Sequence, residues 1–207
     1  MTIGTIRKHL RDHGDAEHAA GVQWFFKEEV RSYGWRTADL RRYARDVHRE
    51  LSPRPDVMLD VAERLFQGRY LEEKALAVVM LERSLRSFGP QEFRRFVSWL
   101  DLVTTWADHD ALAMFLIGPM MHALPSRSRQ VFAWSRSRNR WRRRAAAVSL
   151  IHGVRRGAFT DEATAIAQRL VDDRDDMVQK GLGWLLREWG KVRPDETVPL
   201  LLRLRDR

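Results

Sequence analysis

The sequence predicts an all-α protein in which short helices are stacked as repeats. Apolar residues fall at helical spacing through LEEKALAVVMLERSLRSF, RRRAAAVSLIHGVRR and DDMVQKGLGWLLREWGK, and no strand-like alternation exceeds four or five residues. Proline or glycine, often beside a residue that can cap a helix, separates these runs. The 207 residues are 44% hydrophobic and no linker divides them, so we expect a single domain over residues 1–207.

An internal period indicates how the helices are arranged. Four helical segments can be aligned on a polar residue that precedes a run of small and apolar residues. These polar residues are Lys74, Asp110, Arg144 and Lys180, separated by 36, 34 and 36 residues. A helix pair with its turns occupies about this length in solenoids of the HEAT type. We therefore predict a right-handed α-solenoid of HEAT-like helical repeats.

The charge distribution points to a polyanionic partner. Lys and Arg number 37 against 28 Asp and Glu, a net charge of +9, and residues 111–160 hold ten Arg and no carboxylate. Arginine binds phosphate through two parallel hydrogen bonds, which favours a phosphate-binding surface over a scattered basic one. Charge alone does not separate DNA from RNA or acidic lipid. Aligned repeat positions share one face, so we expect a concave basic groove that holds one acid, Asp110.

Composition excludes several classes of site. The chain has no cysteine, which rules out disulfides, Cys-ligated zinc, iron–sulfur clusters and a thiol nucleophile. The histidines lack metal-ligand spacing, and no nucleotide-binding glycine motif is present, so we expect neither a metal nor a cofactor. The N-terminus lacks the apolar core of a signal peptide, and no apolar run is long enough to span a membrane. We therefore expect a cytoplasmic protein with no membrane partner.

Tryptophan, carboxylate and arginine are expected to meet on the predicted groove. Trp106 and Asp110 are four residues apart and share a helix face. Trp141 and Arg144 are three apart and also share a face, and Trp184 lies on the helix of the following repeat. Helices from three neighbouring repeats would then contribute to one site.

Four segments carry a resemblance to a known family. FFKEEVRSYGWRTADLRRYAR, TTWADHD, NRWRRRAAAVSLI and VQKGLGWLLREWGK resemble, in order and in separation, segments of the AlkD-type DNA glycosylases, the HEAT-like DNA alkylation repair family. The resemblance implies catalytic roles for Trp106 and Asp110, a phosphate-facing Arg144 and a lesion-facing Trp184. The family's cleft-lining aromatic, commonly tyrosine, falls on Phe25, which lacks the hydroxyl. We expect further DNA contacts from Lys27, Lys74, Arg142, Arg143, Lys180 and Arg187.

The resemblance also implies an activity. It would make the protein a monofunctional, cofactor-free DNA N-glycosylase that removes cationic purines such as 3-methyladenine and 7-methylguanine from duplex DNA in base excision repair. The residue types suit this reaction, because a carboxylate can stabilise an oxocarbenium-like transition state and orient water. Indole faces attract a cationic base. We expect a monomer that associates with the nucleoid through DNA.

Other interpretations of the same residues stay open. Asp108 is a second carboxylate beside Asp110, and Arg142 and Arg143 compete with Arg144 for the predicted role. Trp106 and Trp184 could be core aromatics, and Asp110 could be a cap or a surface ion pair. The remaining tryptophans are expected to serve packing: Trp24, Trp35, Trp99, Trp134 and Trp189. The alternative functions are a non-catalytic binder of branched or distorted DNA and a HEAT protein-interaction scaffold.

Overall fold

Helices dominate residues 1–205, the part of the chain that the computed structural model describes. The only β-type pairing within those residues is an isolated bridge between Arg31 and Tyr70. The all-α prediction is therefore confirmed. The described chain separates into two compact units, Met1–Pro90 and the residues from Gln91 onward. The expectation of a single domain over residues 1–207 stays a prediction.

The first unit contains five α-helices within its described residues. They are α1 (Ile3–Asp12), α2 (Ala16–Val22), α3 (Thr37–Leu51), α4 (Pro55–Phe66) and α5 (Leu71–Glu82). A 3-10 turn, Gln23–Phe25, follows α2. The fully buried side chains of this unit include Ile6, Leu10, Leu51, Leu65, Phe66, Leu76 and Met80. Removing these large apolar side chains from water supplies the main stabilisation of the unit.

The second unit is built from nine further α-helices in the described chain. They are α6 (Pro90–Ser98), α7 (Trp106–Leu112), α8 (Gly118–Ala123), α9 (Gln130–Trp134), α10 (Arg140–Val148), α11 (Ile151–Val154), α12 (Thr160–Leu170), α13 (Asp176–Gly190) and α14 (Pro194–Arg205). A π-helical turn, Ala113–Ile117, joins α7 to α8. The helix α10 packs against α13, and α12 packs against both.

Polar side chains cap three of the four helices of the aligned segments, α7, α10 and α13, whereas α5 has no side-chain cap. Asn139 caps α10 by accepting a hydrogen bond from the backbone N–H of Trp141 (2.9 Å). Asp175 caps α13 in the same way, through the N–H groups of Met177 and Val178. Such caps satisfy N–H groups that have no partner within the helix. Helices α5, α7, α10 and α13 each begin three or four residues before the polar residue on which the segments were aligned, so the period reflects real helix starts.

The tryptophans expected to serve packing divide into two groups. Trp99, Trp134 and Trp189 are at most 4% exposed, as predicted. Trp35 is half-buried and donates its indole N–H to the carbonyl of Leu10 (2.7 Å). Trp24 is 91% exposed, so the prediction that it packs in the core is wrong. It lies in the short 3-10 turn after α2, which turns its side chain away from the core.

Two adjacent buried carboxylates tie the loop before α3 to helix α5. Glu72 accepts hydrogen bonds from the hydroxyl of Ser32 (2.6 Å) and from the backbone N–H of Tyr33 (2.9 Å). Glu73 pairs with Arg7 (2.9 Å) and accepts a hydrogen bond from the Tyr33 hydroxyl (2.9 Å). These partners compensate for the removal of both carboxylates from water.

No helix in residues 1–205 is both long and apolar enough to cross a membrane.

A close approach before α12 requires a glycine. Phe159 adopts a left-handed backbone conformation (φ 64°), and its ring lies over Gly153. A Cβ added at Gly153 would lie 2.1 Å from a carbon of that ring. Real non-bonded carbons do not approach this closely, so either the ring or α11 would have to move.

Gly153→Ala is expected to lower the free energy of unfolding by about 2 kcal/mol, because the new methyl group overpacks the contact with Phe159. Gly183→Ala is the matched control, since Gly183 lies in α13 with open space around it. The control should be neutral or more stable by up to about 1 kcal/mol through helix propensity. Urea denaturation of both variants measures the difference, and equal effects would contradict the close approach.

Candidate active site

The centre of the site is a buried ion pair between α7 and α10. The Nε of Arg144 donates to Oδ1 of Asp110 (2.9 Å), and Nη2 donates to Oδ2 (2.8 Å). The Arg144 side chain is 6% exposed, whereas that of Asp110 is 18% exposed. Two parallel hydrogen bonds fix the orientation of both planar groups and are stronger than neutral ones. The carboxylate is thus held rigidly and still reaches the surface.

The same arginine also connects α10 to α13. Its Nη1 donates to the backbone carbonyl of Met177 (2.5 Å). Its aliphatic stem passes Gly181, where an added Cβ would lie 2.9 Å from Cγ of Arg144. The absence of a side chain at Gly181 leaves room for the guanidinium to reach Asp110. Three helices therefore converge on Arg144.

His109 completes the surroundings of the carboxylate. Its Nδ1 lies 2.7 Å from Oδ1 of Asp110, and its Nε2 lies 3.1 Å from the backbone carbonyl oxygen of Trp141. The ring is fully buried and stacks on the Trp141 indole, with 5.6 Å between centroids. Sequence reasoning gave His109 no role. The available signal was its place between two acids, Asp108 and Asp110.

These contacts determine the protonation states of Asp110 and His109. Burial raises the pKa of Asp110, but hydrogen bonds from His109 and Arg144 outweigh it and hold the pKa of the carboxyl below its usual range. Burial lowers the pKa of His109, although the adjacent Asp110 carboxylate opposes this shift. At neutral pH, Asp110 is therefore an anion and the His109 ring is uncharged.

Asp108 has a separate role at the start of α7. Its carboxylate accepts hydrogen bonds from the backbone N–H groups of Thr104 (2.9 Å) and Thr105 (2.7 Å), and from both threonine hydroxyls. The hydroxyl of Thr105 accepts the N–H of Asp108 in return, which makes a capping box. At 3% exposure, Asp108 offers little to a ligand. Of the two candidate carboxylates, Asp110 is the one that reaches the surface, with 18% of its side chain exposed.

The two tryptophans predicted to face the lesion are both half-buried. Trp106 is the first residue of α7 and lies one turn before Asp110. Trp184 lies on α13, one turn after Lys180 and next to Gly183. Their intermediate burial leaves part of each ring accessible. By contrast, Trp141 is 7% exposed, and the guanidinium of Arg140 lies 4.6 Å from the centre of its ring.

Arginines of the acid-free stretch acquire acidic partners from outside it. Arg142 makes two hydrogen bonds to Asp101 (2.7 and 2.6 Å), and Arg143 binds Asp173 (2.6 Å). Arg155 binds Glu188 (3.0 Å). With the pairs Arg140–Asp175 and Arg144–Asp110, five of the ten arginines in residues 111–160 are neutralised locally. A stretch without acids in sequence is thus not without acids in space.

The other predicted DNA contacts differ in exposure. Lys180 is exposed and pairs with its neighbour Asp176 (2.9 Å), and Arg187 is exposed near Glu188. In the first unit, Lys27 is exposed and Phe25 is 75% exposed.

Lys74 is the exception in this set. It is 3% exposed, and its Nζ lies 5.0 Å from the centre of the Phe66 ring. A buried ammonium offers little surface to a phosphate, so the predicted contact of Lys74 with DNA has the least support.

Residues 1–205 contain no group of three or more metal-ligating side chains arranged to hold a metal ion. The fold and site together define an all-α helical-repeat protein with a buried Asp–Arg pair, and with half-buried tryptophans on α7 and α13, two of the three helices that meet at Arg144. A family model described as DNA alkylation repair enzyme matches residues 6–202. The chain belongs to the DNA alkylation repair enzyme family.

A comparison of structures agrees with this assignment. The chain is similar to a structure described as a predicted DNA alkylation repair enzyme from Enterococcus faecalis, with a TM-score of 0.83 and 19% sequence identity. The match covers 92% of this chain and 89% of the other. The prediction of an all-α fold of HEAT-like repeats is confirmed, while the concave basic groove stays a prediction. No curated protein matches the chain.

Asp110→Ala tests the energetic role of the ion pair. Near neutral pH it should lower the free energy of unfolding by about 3 kcal/mol, because Arg144 is left buried without its partner. The pKa of Asp110 is lowered on folding, so the pair stabilises above the unfolded value of about 3.9 and is lost as pH falls through the folded pKa. The difference from wild type should therefore shrink in strong acid.

Urea denaturation across pH measures this effect. Asp101→Ala is the control, because its pair with Arg142 is more exposed and should be worth less than about 1 kcal/mol. A penalty for Asp110→Ala that stays constant into strong acid would rule out the ionised pair as its cause.

Proposed function

We propose that the protein is a monofunctional DNA N-glycosylase that hydrolyses the N-glycosidic bond of cationic alkylated purines in duplex DNA. Bases of the 3-methyladenine and 7-methylguanine type are the proposed substrates. The observation that carries this proposal is the Asp110 carboxylate, which is held ionised at a partly exposed position by Arg144 and His109. Membership of a DNA alkylation repair family supports a DNA substrate.

The proposed reaction mainly requires a fixed negative charge next to the sugar. An alkylated purine already carries a positive charge, so it leaves with the bonding electrons and needs no general acid. Positive charge then develops on the sugar carbon, where a preorganised carboxylate stabilises it. Water adds to that carbon and loses a proton, which the carboxylate can accept directly or pass to solvent.

The two oxygens of Asp110 are unequal in their hydrogen bonds. Oδ1 lies 2.7 Å from Nδ1 of His109 and accepts a hydrogen bond from Arg144, whereas Arg144 is the one donor to Oδ2 among the described residues. An ionised carboxylate oxygen can accept two such bonds. Oδ2 is therefore the oxygen with spare capacity, and we assign to it the orientation of the attacking water.

Arg144 first serves to hold the carboxylate. All three of its guanidinium nitrogens already donate a hydrogen bond, two to Asp110 and one to Met177. Each Nη carries a second N–H, and a phosphate could reach those protons only through the 6% of the side chain that is exposed, so burial weakens the support for the predicted contact of Arg144 as it does for that of Lys74. A phosphate held there would place the sugar next to Asp110.

The accessible parts of Trp106 and Trp184 provide the contacts to the cationic base. Each favourable cation–π contact contributes on the order of 0.5–2 kcal/mol. Lys27, Lys180 and Arg187 are the exposed cations proposed to bind the DNA backbone. Arg142 and Arg143 would bind phosphate in addition to their acidic partners, Asp101 and Asp173. This arrangement would retain the lesion through aromatic faces and the duplex through charge.

Asp110→Asn should slow the release of 7-methylguanine from duplex DNA by about a hundredfold to a thousandfold, typical for the loss of one preorganised electrostatic group. Binding of the same duplex should persist. Single-turnover base release and fluorescence anisotropy measure the two quantities. Asp101→Asn removes a carboxylate at the surface and should leave the release rate near that of wild type.

The outcome also separates the alternative functions. Tight binding by the wild-type protein without base release would identify a binder of distorted DNA. Absence of both binding and release would favour a protein-interaction scaffold.

Lys180→Ala should weaken binding to any duplex sequence and reduce the slope of log affinity against log salt by about one. The reason is that one fewer counterion is released per complex. Lys180→Arg retains the charge and should keep the wild-type slope. Titrations at several salt concentrations test this prediction, and an unchanged slope for Lys180→Ala would remove this lysine from the interface.

A further inference from the structure

The two ring nitrogens of His109 do not have the complementary partners that a neutral ring needs. Both of its ring nitrogens face acceptors, namely Oδ1 of Asp110 at 2.7 Å and the carbonyl oxygen of Trp141 at 3.1 Å. A neutral imidazole has only one N–H, so it can donate to one of them at a time. The ring is fully buried, which leaves no solvent to satisfy the other contact.

Geometry and charge decide which nitrogen holds the proton. The acceptor at Nδ1 is an ionised carboxylate, and the contact is 0.4 Å shorter than the one at Nε2. Hydrogen bonds to charged acceptors are shorter and about twice as strong as those to neutral acceptors. The proton therefore belongs on Nδ1, although free imidazole side chains in water favour Nε2.

We infer that His109 is a positioning residue for Asp110: its Nδ1–H holds Oδ1, so that Oδ2 faces the reacting sugar and water. This inference rests on the proposed glycosylase function for its catalytic consequence. The stacking of the ring on Trp141 fixes the imidazole plane, so the carboxylate cannot rotate while it is bound to Arg144. His109 thus links helix α7, which carries the carboxylate, to helix α10, which carries the arginine.

The charges around the ring limit its protonation. Asp108 and Asp110 act on it from α7, and Arg144 acts on it from α10. Burial lowers the pKa of His109 in spite of the two carboxylates, so the ring takes up a second proton only at a pH below the usual pKa of histidine. In that form Nε2–H would donate to the Trp141 carbonyl, and the contact to Asp110 would be kept.

The tautomer can be read without any enzymatic assay. Nitrogen-15 NMR of the histidine side chains, with His109 assigned by comparison with His109→Asn, should show a protonated Nδ1 at neutral pH. A neutral ring with its proton on Nε2 would overturn the inference. The contact of the His109 ring with the Trp141 indole also allows the assignment in wild-type protein alone, so the answer holds even if a variant does not fold or if no base release occurs.

Two variants test the catalytic consequence. The amide nitrogen of asparagine reaches the place of Nδ1, whereas that of glutamine reaches the place of Nε2. His109→Asn should therefore release 7-methylguanine near the wild-type rate. His109→Gln should be slower by about tenfold, a typical effect of losing an orienting residue, with unchanged affinity for duplex DNA.

The pattern of rescue separates positioning from packing. An equal loss of release rate in both variants would show that His109 acts only through packing. Wild-type release rates in both variants would show that His109 has no part in the reaction. His48→Gln is the control, because His48 is a partly buried histidine whose Nε2 contacts the hydroxyl of Ser84 (3.0 Å). If wild-type protein releases no base while Nδ1 is protonated, the proposed function fails and the His109–Asp110 hydrogen bond stands.

Discussion

The ion pair between Asp110 and Arg144 is the interaction on which the rest of the site depends. Burying two charges is costly, and their attraction repays the cost only when the remaining hydrogen-bonding groups are also satisfied. Here Met177 accepts from the third guanidinium nitrogen and His109 binds the shared oxygen. A larger residue than Gly181 would block the path of the arginine. Each of these features serves one requirement, a fixed anion that still reaches the surface.

Ion pairs of this kind also neutralise much of the positive charge of the arginine-rich stretch. The net charge of +9 favours approach to a polyanion, but five arginines of the acid-free stretch are already bound to carboxylates from other helices. Their first effect is to join helices and orient side chains. Lys180 and Arg187 also have acidic neighbours, Asp176 and Glu188, but their exposed side chains remain free to approach a polyanion.

Much of the fold could be predicted because its signals are local. Apolar spacing and capping residues mark helix starts, and the aligned segments begin helices as expected. The choice of Asp110 over Asp108 also followed from helical spacing, and the capping role of Asp108 supports it. Exposure was harder to predict, because it depends on neighbours distant in sequence. Trp24 was expected to pack and is exposed, whereas Lys74 was expected to bind DNA and is buried.

The helices, their period of about 35 residues and the candidates Trp106, Asp110 and Arg144 can all be predicted from the amino-acid sequence. These follow from side-chain spacing along one chain, which is a local property. The binding of Arg144 to Asp110, and the position of His109 between the carboxylate and α10, are visible only in the folded chain. Such pairings join residues more than 30 positions apart, and they form because packing removes water and a buried charge then needs a partner within the protein.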